Sequence, residues 1–380
     1  MAALTPMCDN RTMDWLEVGS RIAEARQEAG LSQAELAADL AWERTRLTKV
    51  ERGVQRLTAL DLLAVADALG RRMDWFVLPR AEAVTSYRGK LTGEWEASTL
   101  GGRVEAIAAD VAAVAALTEL PGTHSRPTAC SLSSLRDAEE AASQTRRHCG
   151  LDHDQPAAGI SDRLARGGLL VFAAEMGDSA EDAAYLPVPG VAIALVNSSR
   201  KPGRRRLAAA HELGHHVCGD GFRTDRSLDS EGDDHERRLD RFGRAFLLPE
   251  TGLVSRWEEA ATRFDRRTAS ILLAAHFEVD MATLATRLHR DLGAVDQHTA
   301  TEIRETVTRR GDMIEHGLRN PEDLAGTWLP PVYQRAVLAA YRAEDISGER
   351  AADLLQGTIS RDDLPPLQPL PARRGWDFVS

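Results

Sequence analysis

Aromatic residues make up only 5% of this 380-residue chain, cysteine occurs four times with no C-x-x-C pair, and no long apolar run is present. The wide cysteine spacing excludes a disulfide framework and a cysteine zinc finger, and it suits a reducing compartment. The most apolar stretch, residues 107–117, is broken by Asp110, whereas a membrane span needs about 20 such residues. The N-terminal residues lack the apolar centre of a secretory signal. Together these shortages lead to the expectation of a cytoplasmic protein with no membrane partner. Positive charge is also in deficit: 47 Lys and Arg stand against 58 Asp and Glu, a net charge of −11. Bulk electrostatic coating of nucleic acid is therefore excluded, whereas a small local basic face is not. With 43% hydrophobic residues, the chain is a folded, acidic protein whose length asks for two or three domains.

Residues 13–77 read as five short helices. Val18, Ile22 and Ala25 repeat at helical spacing before the stop signal Gly30. Ser32 and Glu35 have the spacing of a capping box, and the helix they open carries Leu36 and Leu40 inward. After a tight turn at Ala41 and Trp42, a third helix runs to Gly53. Thr58 and Asp61 cap a fourth, with the apolar stripe Leu62, Val65, Ala66 and Leu69. Two helices joined by a tight turn form the layout in which the later helix enters the major groove of DNA. Charge supports this reading: Arg44, Arg46, Lys49, Arg52 and Arg56 gather on one element against Glu43 and Glu51. Gln33 can reach a phosphate, and Arg44, Thr45, Arg46, Thr48 and Lys49 are candidates for bases and adjoining phosphates. The competing reading is an ordinary solvated charged face.

The run Leu31-Ser-Gln-Ala-Glu-Leu-Ala-Ala-Asp-Leu-Ala-Trp-Glu-Arg-Thr-Arg-Leu-Thr-Lys-Val-Glu-Arg-Gly53 resembles the helix-turn-helix of the XRE/Cro-like repressor family. The likeness includes Ser32-Gln33, the apolar Leu47 and Val50, and the Glu51-x-Gly53 ending. Trp42 and Glu43 replace the family's usual small apolar residue and Ser or Thr, which removes a guide to base preference. A partner is expected in double-stranded operator DNA. One recognition unit reads half a palindrome, so a homodimer is expected as well.

Further along, the pattern divides the chain into a helix-turn-helix domain (residues 1–78), a linker and helical connector (79–125), a central domain (126–255), a C-terminal helical region (256–362) and a Pro-rich tail (363–380). Residues 169–172 and 191–196 are apolar runs bounded by Gly and Pro, the signal of buried strands, and residues 184–188 suggest a third. The fold class is mainly α and multidomain: an all-α bundle, then an α+β core with a small sheet, then further helices.

His211-Glu212-Leu213-Gly214-His215 is an H-E-x-x-H sequence on a helix predicted over residues 203–218 and stopped by Gly219. Histidines four apart rise about 6 Å along a helix and share a face, so both can bind one ion. Glu212 flanks that face, where a carboxylate can take a proton from water and pass it to a leaving amine. A catalytic zinc takes three protein ligands, and His-x-x-Gly-x-x-His is absent. The third donor is expected on the next helix, where Leu239, Phe242 and Phe246 form the buried stripe. Glu236 is the choice, with His235 and Asp240 as rivals; Asp240 could instead orient a histidine. The competing reading is a chance pattern on a core helix.

Asn197-Ser-Ser-Arg-Lys-Pro-Gly-Arg-Arg-Arg-Leu-Ala-Ala-Ala-His-Glu-Leu-Gly-His215 and Glu236-x-x-Leu-Asp-x-Phe-x-x-x-Phe-Leu-Leu-Pro249 resemble the ImmA/IrrE family of zinc metallopeptidases. The resemblance implies Zn2+, with ligands at His211, His215 and Glu236 in a gluzincin-like arrangement, and a catalytic Glu212. It also implies a regulatory protein as substrate, a helix-turn-helix repressor whose cleavage relieves repression. Leu239 stands where the family commonly has Ala. The alternative is a transcription factor whose peptidase-like domain senses a ligand or metal without proteolysis. Two other segments say less. The basic run at residues 200–206 reads as a solvated loop or a substrate or nucleic-acid contact, and the acidic residues 229–234 as a loop that gates the cleft.

Overall fold

A computed structural model describes residues 14–69, 71, 73–77, 99–120, 131–177, 182–188, 190–219, 230–319 and 321–367. It separates into two units, residues 1–98 and 99–380. Residues 79–98 and 121–125 of the expected connector, 126–130 of the domain expected after it, and 368–380 of the expected tail lie outside the described residues.

The first unit is built from α1 (Trp15–Glu28), α2 (Gln33–Asp39), α3 (Arg44–Glu51), α4 (Ala59–Ala68) and α5 (Met73–Val77). Asp14 caps α1, and the Ser32/Glu35 and Thr58/Asp61 capping boxes open α2 and α4. Ile22, Leu36, Leu47, Val65 and Phe76 are completely buried in one core. Two glycines let α1 lie against the end of α3. A Cβ on Gly19 would meet the Val50 carbonyl at 2.2 Å, and one on Gly53, where φ is +70°, would meet the Leu16 Cα at 2.4 Å. Glu51 clamps the same region, taking Arg26 Nε at 2.6 Å and Gln33 Nε2 at 2.6 Å.

The second unit contains α6 (Thr99–Leu117), α7 (Leu135–His148), α8 (Ile160–Arg166), β1 (Leu169–Ala174), β2 (Ala183–Val188), β3 (Val191–Asn197), α9 (Pro202–Cys218) and α10 (Ser230–Leu247). It continues through α11 (Glu250–Arg263), α12 (Arg266–Phe277), α13 (Met281–Thr286), a π-helical turn (Arg287–Asp291), α14 (Gln297–Glu305), α15 (Arg310–Glu315), α16 (Pro331–Arg342) and α17 (Gly348–Leu354). The sheet has order β1-β3-β2, with β1 parallel and β2 antiparallel to β3. Every residue of β3 is buried, as its unbroken apolar run requires of a central strand. Ala173 and Trp328 exchange backbone hydrogen bonds on the far side of β1, and the Trp328 indole donates to Ser161 Oγ at 3.0 Å.

Helix α6, which falls within the expected linker and helical connector, packs on β2, β3 and α16. In the expected C-terminal helical region, Leu273, Phe277, Leu284, Leu288 and Ile303 share one apolar core with Leu213, Phe242 and Phe246. Hydropathy periodicity marks which face of a helix is buried, but not against which partner.

That core is pinned by buried charge. Arg287 is completely buried; it donates from Nε to the Leu248 carbonyl at 3.0 Å and from Nη2 to Glu139 at 2.8 Å. Arg241 reaches both Glu139 and Asp291, and Arg244 holds Asp291 at 2.7 Å. Burial pushes the Glu139 pKa up, but Arg287 and Arg241 outweigh it and hold the carboxyl below its ordinary range. Replacing Glu139 by Leu takes the directly hydrogen-bonded carboxylate from the buried Arg287 and leaves it only Asp291, at 3.7 Å. The expected cost is about 3–5 kcal/mol, read as a lowered urea midpoint for unfolding of the second unit.

Candidate functional site

Helix α9 starts at Pro202, whose missing N–H costs nothing in a first turn, and stops at Gly219 in the left-handed conformation with φ +71°. Between them, one face carries His211 and His215, and Glu212 is buried. Helix α10 crosses α9 at glycines on both sides. A Cβ on Gly214 would meet Leu239 Cδ2 at 2.9 Å, and one on Gly243 would meet the His211 backbone nitrogen at 3.3 Å. This close approach, sealed by the buried Leu239, Phe242 and Phe246, brings Glu236 over the two histidines.

His211 Nε2 lies 3.1 Å from Glu236 Oε2, and His215 Nε2 lies 4.0 Å from Glu236 Oε1. Ligand atoms on a tetrahedral zinc with bonds near 2.05 Å stand about 3.4 Å apart, so these two separations bracket what one ion needs. Among the described residues, His211, His215 and Glu236 are the group whose ligand atoms gather within 4.8 Å of one another. Asp240, weighed as a ligand or an orienting group, sits 3.0 Å from His211 Nδ1. There it accepts the Nδ1 proton and aims Nε2 at Glu236. Burial disfavours a charged His211, but hydrogen bonds to Asp240 and Glu236 and the nearby Glu212 charge outweigh it and raise the pKa to about 10. Burial would raise the Asp240 pKa, yet His211, Arg244 and Arg204 hold it below its ordinary value. The carboxylates thus demand a positive charge at this point, and two nitrogens with one carboxylate form a donor set that suits a divalent ion.

The neighbouring rings have distinct places. The buried His216 lies within hydrogen-bond distance of the Gly167 carbonyl through Nε2 at 3.1 Å and of the Tyr185 hydroxyl through Nδ1 at 3.3 Å. It ties α9 to the sheet. Tyr185 of β2 stacks on His215 with ring centres 6.2 Å apart, and His235 approaches His215 at the same centre-to-centre distance, tilted by 56°. Sequence reasoning missed Tyr185, whose only signal was its place in a short apolar strand.

Of the residues read as DNA contacts, Arg44, Thr45 and Lys49 are exposed on α3. Gln33 and Thr48 bond each other at 3.2 Å, and Gln33 is also held by Glu51. Arg46 bends away to Asp61 at 2.7 Å and lies 4.0 Å above the Trp42 ring. The basic run at residues 200–206 needs correction. Arg200 and Arg204 both hold Asp182, Arg205 bonds the Ser198 and Arg200 carbonyls, and the completely buried Arg206 pairs with Asp323 and Glu278. Four of its five basic residues are thus held by the protein itself, while Lys201 and Arg204 stay exposed. Residues 230–234 begin α10 and are not a loop; residues 220–229 lie outside the described residues. No helix among the described residues is long and apolar enough to cross a membrane.

Comparison with known families finds a helix-turn-helix model matching residues 22–76 and an IrrE N-terminal-like domain model matching residues 165–289. No curated protein matches the chain. Among solved structures, the crystal structure of ComR from Streptococcus suis is 12% identical, with a TM-score of 0.16, over 91% of this chain and 94% of that one. So low a score leaves the fold to the chain's own geometry.

Two outcomes are expected. An ion must displace the His211 proton, so apparent zinc affinity falls as pH falls, about tenfold per pH unit below the His211 pKa for one proton released. Calorimetry in buffers of different ionisation enthalpy counts that proton. For α3, replacing Arg44 and Lys49 together by Ala should lower DNA affinity and flatten the salt dependence by about two counterions if both meet phosphates, measured by fluorescence anisotropy across salt.

Proposed function

We propose that this chain, which carries a helix-turn-helix domain at its N-terminus and an IrrE N-terminal-like peptidase-family domain, is a DNA-binding regulator whose second domain is a zinc-dependent endopeptidase. Its substrate class is a regulatory protein, in the first place a helix-turn-helix repressor. One observation carries the enzymatic reading: His211, His215 and Glu236 converge from two helices around one point, with the carboxylate of Glu212 adjoining His211 closely enough to raise its pKa.

Each side chain then has a distinct task. His211, His215 and Glu236 would hold the ion, and Asp240 keeps His211 in the tautomer that presents Nε2. Zinc, when bound, supplies Lewis acidity to a peptide carbonyl and to water. Glu212 is the base: its carboxylate takes the proton of the attacking water and returns it to the departing amine nitrogen. Gly214 and Gly243 keep the two ligand-bearing helices close enough for the set to form. In the first unit, α3 offers Arg44, Thr45 and Lys49 to the major groove, and the α1–α3 clamp through Arg26 and Glu51 fixes the angle at which α3 is presented.

Glu212→Gln separates catalysis from assembly. The variant should bind zinc and DNA as the native chain does, because neither ligand set is touched, while cleavage of a co-expressed repressor falls by at least about a hundredfold. Regulatory output should fall with it. Output that survives in this variant overturns the enzymatic reading and leaves a domain that senses a ligand or metal.

A further inference from the structure

Side chains close the starts of α1, α2 and α4: Asp14 caps the first, and the Ser32 and Thr58 capping boxes open the others. Helix α3 differs. Glu43 stands at its N-cap, and the Glu43 carbonyl accepts from the Arg46 and Leu47 N–H groups, but its carboxylate makes no capping bond. Ser, Thr, Asp and Asn are the residues that stabilise a helix from this position. The folding of α3 therefore gives no reason for a glutamate there.

Pairing gives none either. Glu43 is exposed, as are Arg44 and Thr45 beside it, and among the described residues nothing bonds to or pairs with its carboxylate. Arg46, the next cation along, is taken by Asp61 at 2.7 Å and lies over the Trp42 ring. In a recognition helix the N-terminal residues are those that meet base edges, so α3 carries an uncompensated negative charge where DNA would be read. Phosphates can only repel it. Bases divide over it, because a carboxylate accepts hydrogen bonds and cannot donate them. On the major-groove edge, guanine presents two acceptors, thymine an acceptor and a methyl group, and adenine an acceptor beside its amino donor. Cytosine alone presents a donor, the N4 amino group, with no acceptor of its own.

We propose that Glu43 is a specificity-determining residue of the DNA-binding unit, whose carboxylate accepts a hydrogen bond from the N4 amino group of one cytosine and turns away the other three bases at that position. Arg44, Thr45 and Lys49 supply attraction from the same helix, and Glu43 supplies the penalty that separates one sequence from another. The inference rests on the DNA-binding reading of the first unit and deepens it by naming a base. It does not depend on the metal centre.

The test is selection of binding sites by the full chain from a duplex library randomised over about 20 base pairs, two turns of DNA. The native chain should enrich a motif with a position at which C is favoured about tenfold or more over the other bases. Glu43→Ser, which places a preferred capping residue on α3, should keep the rest of the motif and lose the preference at that position. It should also bind unselected duplex more tightly than the native chain, because a charge that phosphates repel is gone. Glu43→Gln, whose amide can donate as well as accept, should move the preference there toward A. The same motif from the native chain and Glu43→Ser overturns the proposal alone. So does a native motif with no position that demands C, or a Glu43→Gln variant that demands C as strongly as the native chain. Loss of the whole motif from both variants overturns it too, since Glu43 would then shape α3 without reading a base. A native chain that enriches no sequence overturns the DNA-binding reading, and the proposal with it.

Discussion

The crossing of α9 and α10 governs the second unit. Gly214 on one helix and Gly243 on the other remove the side chains that would hold the axes apart, and the buried Leu239, Phe242 and Phe246 fill the space on either side. Ridges and grooves normally set interaxial distances of about 8–10 Å, and a glycine at the contact allows the lower end of that range. Only then does Glu236 of α10 reach the nitrogens of His211 and His215. The site is therefore a product of backbone proximity before it is a matter of ligand identity.

Arginine does much of the fastening around this crossing. Arg146 is buried and donates to the carbonyls of Phe246, Asp152 and Gln155, and burial lowers its pKa to about 10. Arg206 joins α9 to Asp323 and Glu278, and Arg241, Arg244 and Arg287 share Glu139 and Asp291. A planar guanidinium with five donors can satisfy several carbonyls and carboxylates that a lysine could not. Removing one member of such a set leaves a charge uncompensated in the interior, which costs more than the intact pairing contributes. An acidic chain with few aromatic residues thus orders its core partly through buried cations.

Legibility in the sequence followed the range of each interaction. Capping boxes at Ser32 and Thr58, the stop at Gly219 and the apolar run of β3 are local signals, and the structure repeats them. The His211 and His215 pair was legible because a helix brings residues four apart onto one face. Its meeting with Glu236 depends on two glycines 29 residues apart, Gly214 and Gly243, which no short pattern relates. Arg46, read from its helix position as a DNA contact, also pairs with Asp61 and lies over Trp42, partners that no local pattern announces. The run at 200–206 looked solvated because charge is usually outside, yet its partners Asp182, Glu278 and Asp323 are distant in sequence.

The backbone link between Ala173 and Trp328 has an effect beyond tethering a loop. It occupies hydrogen-bonding groups on the outer flank of β1, while β3 is enclosed by its two neighbours. Among the described residues, the outer flank of β2 is the one left without a strand beside it, and unpaired strand flanks are templates for another extended chain. A polypeptide added to this sheet would therefore be guided to the Tyr185 strand, which packs against α9.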